Sequence, residues 1–179
     1  PAYVRYGNWH DVAGGGHFSG RLTAPLCIAG GIALQALEQL GITVCAHMQQ
    51  VGAVTDVHLN DLFREKTQVE AILQNELPCI DPQAAALMRK TILSAKERLD
   101  SVGGAVECVV YGVPAGIGDP MFDGIENRIA QIAFGIPAVK GLEFGAGFKV
   151  ASMLGSQNND AYRISNGRVC CQTNHAGGA

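Results

Sequence analysis

Residues 14–25 read Gly-Gly-Gly-His-Phe-Ser-Gly-Arg-Leu-Thr-Ala-Pro, and this stretch constrains the fold more than any other. Three consecutive glycines let the backbone come close to a bound group, because no Cβ stands in the way. A hydroxyl (Ser19) and a guanidinium (Arg21) follow, and from Leu22 the chain turns apolar with helical spacing. A glycine loop opening a helix that carries Ser and Arg in its first turn is a physical recipe for holding an anion.

Length and composition frame that loop. A chain of 179 residues is expected to form a single domain over 1–179 with its own core. Apolar residues make up 47% and charged residues only 16%, so part of the surface is expected to be covered by a partner subunit. A net charge of −3, with 13 scattered Lys and Arg, leaves no footprint for nucleic acid. No apolar run has the length of a membrane span and no basic-then-apolar pattern is seen at the start of the sequence, so no membrane partner is expected. Of the six cysteines, four lie in apolar stretches and Cys170-Cys171 are adjacent, which suits neither a disulfide framework nor a metal. A reduced, cytoplasmic setting is expected. Pro1 and Ala179 read as cut ends, and the chain is expected to be a fragment.

Taken in order, Tyr3–Tyr6 reads as a short strand, and His10 beside Asp11 as a solvated histidine rather than a dyad. Ser19 or Gly20 caps a helix over 22–40, with Pro25 in its first turn and Gly41 at its end. Gly30 and Gly31 mark a buried small-residue packing face on that helix. Ile42–Val54 reads as a strand in which His47 is structural and hydrogen-bonded. A helix follows over Asp61–Leu73, with Arg64, Glu65 and Lys66 as a solvated face. Asp81-Pro82 opens a helix whose stripe is Leu87, Met88, Thr91, Ile92, Ala95 and Leu99. Ala105–Tyr111 is a β-type run. Asp119-Pro120 is read as opening a helix to Phe134, followed by strands near 137–145 and 150–154. Asn166-Gly167 is the tip of a hairpin over Tyr162–Thr173. Helix and sheet are mixed in an α+β chain, with the sheet direction open.

Several chemistries are absent from this sequence. The loop lacks the Gly-Lys-Ser/Thr of a phosphate-binding P-loop, there is no Gly-x-Ser-x-Gly elbow, and Cys and His show no zinc spacing. Besides the loop there is a glycine-rich run at 135–147, and the polar end Thr173-Asn174-His175-Ala176-Gly177-Gly178 is the expected partner of the two. The three turns are either structural punctuation or, together, exposed backbone suited to a large flat ligand.

With these motifs in hand, a resemblance emerges. Gly14–Pro25 resembles the flavin-loop motif of the chorismate synthase family, and Ile136–Phe148 its second signature. Gly155-Ser-Gln-Asn-Asn-Asp160 and Thr173–Gly178 are similar to its third and fourth, in the family's order. The resemblance implies a β-α-β sandwich, with central helices between mainly antiparallel sheets, and a homotetramer. It also implies a lyase of the shikimate pathway and aromatic amino-acid biosynthesis. That enzyme eliminates phosphate from 5-enolpyruvylshikimate 3-phosphate by a 1,4-anti route to give chorismate. Reduced FMN is the implied cofactor, with NADPH reducing the flavin in bifunctional members. His17, Phe18 and Ser19 align with flavin-contacting residues, Pro137 and Ala138 with a second flavin contact, and Ser19 and Arg21 with residues that hold the substrate's anionic groups.

The departures are as specific as the matches. His17 stands where Arg is commoner, as in a subgroup of the family, and Pro137 where some members have Asn, so only a backbone contact carries over. The family's acid/base histidines lie in Phe-Gly-Glu-Ser-His-Gly and His-Ala-Asp motifs that this sequence lacks. No catalytic residue is therefore assigned, and none of the five histidines is promoted to fill the gap. Two readings follow: the central portion of a chorismate synthase, inactive alone, or a non-catalytic piece of the same fold that serves structure and oligomerisation. A third, an unrelated α/β domain with glycine turns, is disfavoured by four motifs in order.

Overall fold

The alternation of a half-buried strand is realised in β1, Thr43–Val51, where Cys45 and His47 are buried on one face. The strand pairs antiparallel with β2 (Val54–Thr55) and β3 (Gly104–Tyr111) in the order β2-β1-β3. Sheet direction, which the residue pattern leaves open and the resemblance implies to be mainly antiparallel, is thus antiparallel. The register sets His47 opposite Glu107 and shifts between Met48 and Gln50, leaving Gln49 as the extra residue of a bulge. Gln49 holds the next segment: its carbonyl accepts from the Asp56 N–H at 2.8 Å and its side-chain amide donates to the Asp56 carbonyl at 2.9 Å.

The computed structural model describes residues 2–9, 13–59, 66–165 and 167–177. The chain divides into two compact units, Gly31–Pro114 and Pro1–Gly30 with Ala115–Ala179. In the first, helices α3 (Lys66–Leu73) and α4 (Pro82–Glu97) pack on the sheet. The expected start of α3 at Asp61, with Arg64 and Glu65, lies outside the described residues. Asp81 caps α4 as expected, accepting from the Gln83 N–H at 2.8 Å. Two apolar clusters form the core. Cys45, Leu59 and Ile72 make one, and Val51, Cys79 and Met88 the other. Of the stripe expected on α4, Met88 and Ala95 are buried with Ala84, whereas Leu99 is fully outside. Leu99 adopts a left-handed φ of 56° and terminates the helix, with the Asp100 N–H closing on the Ala95 carbonyl at 3.0 Å.

The second unit departs further from the sequence reading. Ala2–Tyr6 is a short helix, α1, and not a strand. A helical turn pairs its own backbone groups, whereas a strand needs a neighbour. His10 and Asp11 lie outside the described residues. Asp119-Pro120 does not open a helix. Asp119 and Asp123 bridge across a tight turn in which Met121 takes a φ of 69°, and helix α5 (Ile125–Ala133) begins only after Gly124. The strands expected near 137–145 and 150–154 are absent: the chain is irregular and then forms a 3-10 turn, Gly147–Ser152. Such glycine-punctuated segments lack the uninterrupted ladder a strand requires. A four-residue helix, α6 (Gly155–Asn158), leads to the expected hairpin, β4 (Tyr162–Ser165) with β5 (Arg168–Cys171), paired Ser165 to Arg168 around Gly167. Asn166 lies outside the described residues.

Helix α2 (Thr23–Gln39) forms where the spacing predicts, but none of its residues is buried. Ile28 and Ile32 are 68% and 66% exposed, and nothing stands within 4 Å of a Cβ placed on Gly30 or Gly31. The expected buried small-residue face is therefore uncovered. Ala13–Gln39 taken as one helical segment is long and apolar enough to cross a membrane, contrary to the sequence expectation. Its uninterrupted α-helix, Thr23–Gln39, has 17 residues, at the lower end of the range of about 17–25 that a span requires.

Met88→Ala is expected to destabilise the chain by about 2–5 kcal/mol through transfer and cavity costs. Ile32→Ala on the uncovered helix face is expected to change stability by no more than about 0.5 kcal/mol. Urea unfolding of both variants checks the pair, and equal losses would contradict this account of the core.

Candidate functional site

The glycine loop has a backbone that only glycine supports. Gly14 and Gly15 lie at φ 62° and 82°, and Gly16 at φ 52°, ψ −126°, the mirror-β region closed to side chains. The reversal brings Arg21 back over the loop: a Cβ on Gly14 would stand 2.8 Å from the Arg21 guanidinium. Ser19 N–H donates to the Gly16 carbonyl at 3.1 Å, and its side-chain oxygen accepts from the Arg21 N–H at 3.4 Å, capping the short turn Gly20–Leu22. Thr23 starts α2 immediately afterwards, with its hydroxyl donating to the Gly20 carbonyl at 2.8 Å. Ser19 and Arg21 thus sit together at the entrance to a helix, where N–H groups and dipole favour negative charge. Phe18 holds its ring 61% exposed beside them. His17 contributes its backbone to the turn, and its side chain lies outside the described structure.

Pro137 and Ala138 form an exposed turn in which the Val139 N–H reaches the Ile136 carbonyl at 3.3 Å. Ala138 has a φ of 72°, a conformation that costs a non-glycine residue of order 1 kcal/mol and clusters at binding sites. The polar end does meet the second glycine run. Ala146 N–H donates to the His175 carbonyl at 2.8 Å, and a Cβ on Gly145 would collide with that carbonyl. Glycine is required here by contact as well as by its φ of 57°.

The organiser of this junction is Asp160, to which the sequence alone assigns no role. Its Oδ1 accepts from the Thr173 hydroxyl at 2.5 Å and the His175 N–H at 2.8 Å, and its Oδ2 from the Ala176 N–H at 2.9 Å. Partial burial pushes this carboxyl upward, but the Thr173 hydroxyl and the two N–H groups outweigh it and leave it below its ordinary value. A carboxylate five residues into a glycine-led polar loop, ahead of a hairpin, was the available signal.

A second polar cluster lies in the unit Gly31–Pro114. His47 is hydrogen-bonded, as expected of a structural histidine, and its partners are Asp56 and Glu107. Glu107, a lone charge in the apolar run 105–111, was the clue to it. Burial raises both carboxyls, yet backbone N–H donors and the histidine bring both below their ordinary values. Among the described residues no group of three His, Cys, Asp or Glu could hold a metal.

Because the Asp160 carboxyl is lowered, its clasp is complete above the ordinary carboxylate range, near pH 4, and is lost as pH falls through the lowered value. Amide exchange at His175 and Ala176 is expected to stay slow at pH 5. Asp160→Ala should speed both amides at least about tenfold at that pH. Unchanged protection in the variant would remove Asp160 from this role.

A profile of the family described as chorismate synthase matches residues 1–179. Chorismate synthase of Lancefieldella parvula is 48% identical, over 99% of this chain and 49% of its own length. The chorismate synthase of Pyrococcus abyssi is 44% identical, over 99% of this chain and 48% of its own. A solved structure described as a crystal structure of chorismate synthase superposes with a TM-score of 0.78 at 28% identity. It covers 92% of this chain and 52% of that one. The chain therefore spans about half the length of the relatives it matches, and its α+β fold superposes on the part of the solved structure that it covers. With the whole of its sequence matched and its fold shared, the chain belongs to the chorismate synthase family.

Proposed function

We propose that this chain carries one wall of a flavin and substrate site for chorismate formation. The reaction is the 1,4-anti elimination of phosphate from 5-enolpyruvylshikimate 3-phosphate. The observation that carries the reading is the loop 14–21, in which three left-handed glycines turn Arg21 back beside Ser19 at a helix entrance. Arg21 offers a planar fork of donors suited to a phosphate or carboxylate, and Ser19 adds a hydroxyl. Both would bind the substrate more strongly as negative charge gathers on the departing phosphate, which lowers the barrier to elimination.

The residues present also fit reduced FMN. Phe18 presents an exposed ring that a flat heterocycle can stack on, and Pro137-Ala138 presents exposed backbone with a left-handed residue. His17 joins them through its place in the loop. When bound, the reduced flavin supplies electron density to the reacting substrate and recovers it, so the reaction involves no net redox change. NADPH would serve flavin reduction in a bifunctional protein. The motifs that hold the family's acid and base histidines are not in this sequence, and no proton transfer is assigned to the chain.

A cytoplasmic location suits the six unpaired thiols, and a homotetramer suits the uncovered face of α2. That face also favours the second reading, in which the chain alone serves assembly and not catalysis.

The chain alone is expected to form no chorismate and to bind FMN weakly, whereas the same sequence extended to the length of its relatives is expected to turn over with reduced FMN. In that longer protein, Arg21→Ala should reduce kcat/KM at least about a hundredfold, in the range of a lost charged transition-state contact. A product assay with reduced FMN decides. Turnover by the chain alone overturns its assignment as one wall, and no turnover by the extended protein overturns the proposed reaction.

A further inference from the structure

His47 is 2% exposed in the sheet β2-β1-β3 and faces a carboxylate across each ring nitrogen. Nδ1 lies 3.0 Å from Asp56 Oδ2, and Nε2 lies 2.8 Å from Glu107 Oε2. Both of those oxygens are also held by backbone donors. Ile80 N–H reaches Asp56 Oδ2 at 2.6 Å, and Leu59 N–H reaches Glu107 Oε2 at 2.8 Å. The remaining oxygens are occupied too, Asp56 Oδ1 by the Asp81 N–H at 3.0 Å and Glu107 Oε1 by His58 Nδ1 at 3.1 Å. The carboxylates thus tie three separate segments, at 56–59, 80–81 and β3, to one ring.

A neutral imidazole donates from one nitrogen and accepts at the other, whereas the imidazolium donates from both. Two ionised carboxylates on opposite sides therefore use all the hydrogen-bonding capacity of the doubly protonated ring. When one proton is lost, a nitrogen lone pair faces a carboxylate oxygen, and that contact turns repulsive. The two sides are unequal. The Asp56 side chain is fully buried, while Glu107 is 18% exposed and has His58 as a second partner.

We propose that His47 is a proton-controlled clasp: doubly protonated it locks residues 56–59 and 80–81 onto the sheet, and loss of a ring proton opens its Glu107 side and frees Leu59. The other titratable groups around it are Asp81 and Cys79 beside Asp56, and Cys45, Cys108, Tyr111 and His58 around Glu107. Burial pushes the three thiols and the Tyr111 hydroxyl up, so they remain neutral through the neutral range. Neutralising His58 by His58→Ala leaves His47 as the histidine at Glu107.

The test is ring-nitrogen NMR of the chain together with amide exchange from pH 5 to 9, in the His58→Ala background. Exchange is expressed as protection relative to an unfolded peptide at each pH. At pH 5 both nitrogens of His47 should carry protons. As one is lost, protection at Leu59 should fall at least about tenfold, while Ile80, on the Asp56 side, stays within about twofold. Glu107→Gln, which removes the negative charge facing Nε2, should weaken the pH dependence at Leu59. A singly protonated ring at pH 5, a ring that keeps both protons to pH 9, or constant Leu59 protection through the titration would each overturn the proposal. Since Glu107→Gln is read only for its pH dependence, the ring measurement in the His58→Ala background decides alone if that variant does not fold.

Discussion

The antiparallel pairing of β1 with β3 is the constraint on which the unit Gly31–Pro114 depends. It sets His47 opposite Glu107, places a bulge at Gln49 that captures Asp56, and lays Cys45 and Val51 into the two apolar clusters. A shift of one residue would reverse the faces of β1, moving His47 outward and leaving the buried Asp56 carboxylate without its ring partner. A buried carboxylate stripped of its partner costs several kcal/mol, so the polar cluster enforces the register as firmly as the apolar clusters do.

The same device recurs in the other unit. Asp160, like Asp56, collects backbone N–H groups from a segment distant in sequence, and each holds its carboxyl below the ordinary value against the effect of burial. In both cases the carboxylate replaces a missing strand partner. It satisfies donors that an irregular loop cannot pair for itself. Around the site this matters because the glycine runs have little apolar surface with which to hold their shape. Gly145 admits the His175 carbonyl, and Asp160 keeps that carbonyl's segment in place.

The parts of the fold legible in the sequence were those governed by neighbours a few residues apart. Asp81 capping α4, Gly41 after α2, the alternation of β1 and the hairpin around Gly167 all express local backbone chemistry. Misreadings came where a local signal was overruled by its surroundings. Asp119-Pro120 carries the same start signal as Asp81-Pro82, but a left-handed Met121 and the Asp119–Asp123 bridge turn the chain before a helix can grow. The small-residue face of α2 was read as a buried packing face, and it is uncovered.

By itself the sequence determined the family, the glycine loop with Ser19 and Arg21, and the helix that follows. Those depend on residue identity and on spacings within a single turn. The tertiary structure decided which carboxylates bind which loops, the antiparallel register, the return of Arg21 over Gly14, and the exposure of α2. Each depends on which residues meet or fail to meet, and their separation in sequence carries no periodic signal. Asp56 meets Ile80 and His47 meets Glu107 because a folded sheet brings them within hydrogen-bond distance.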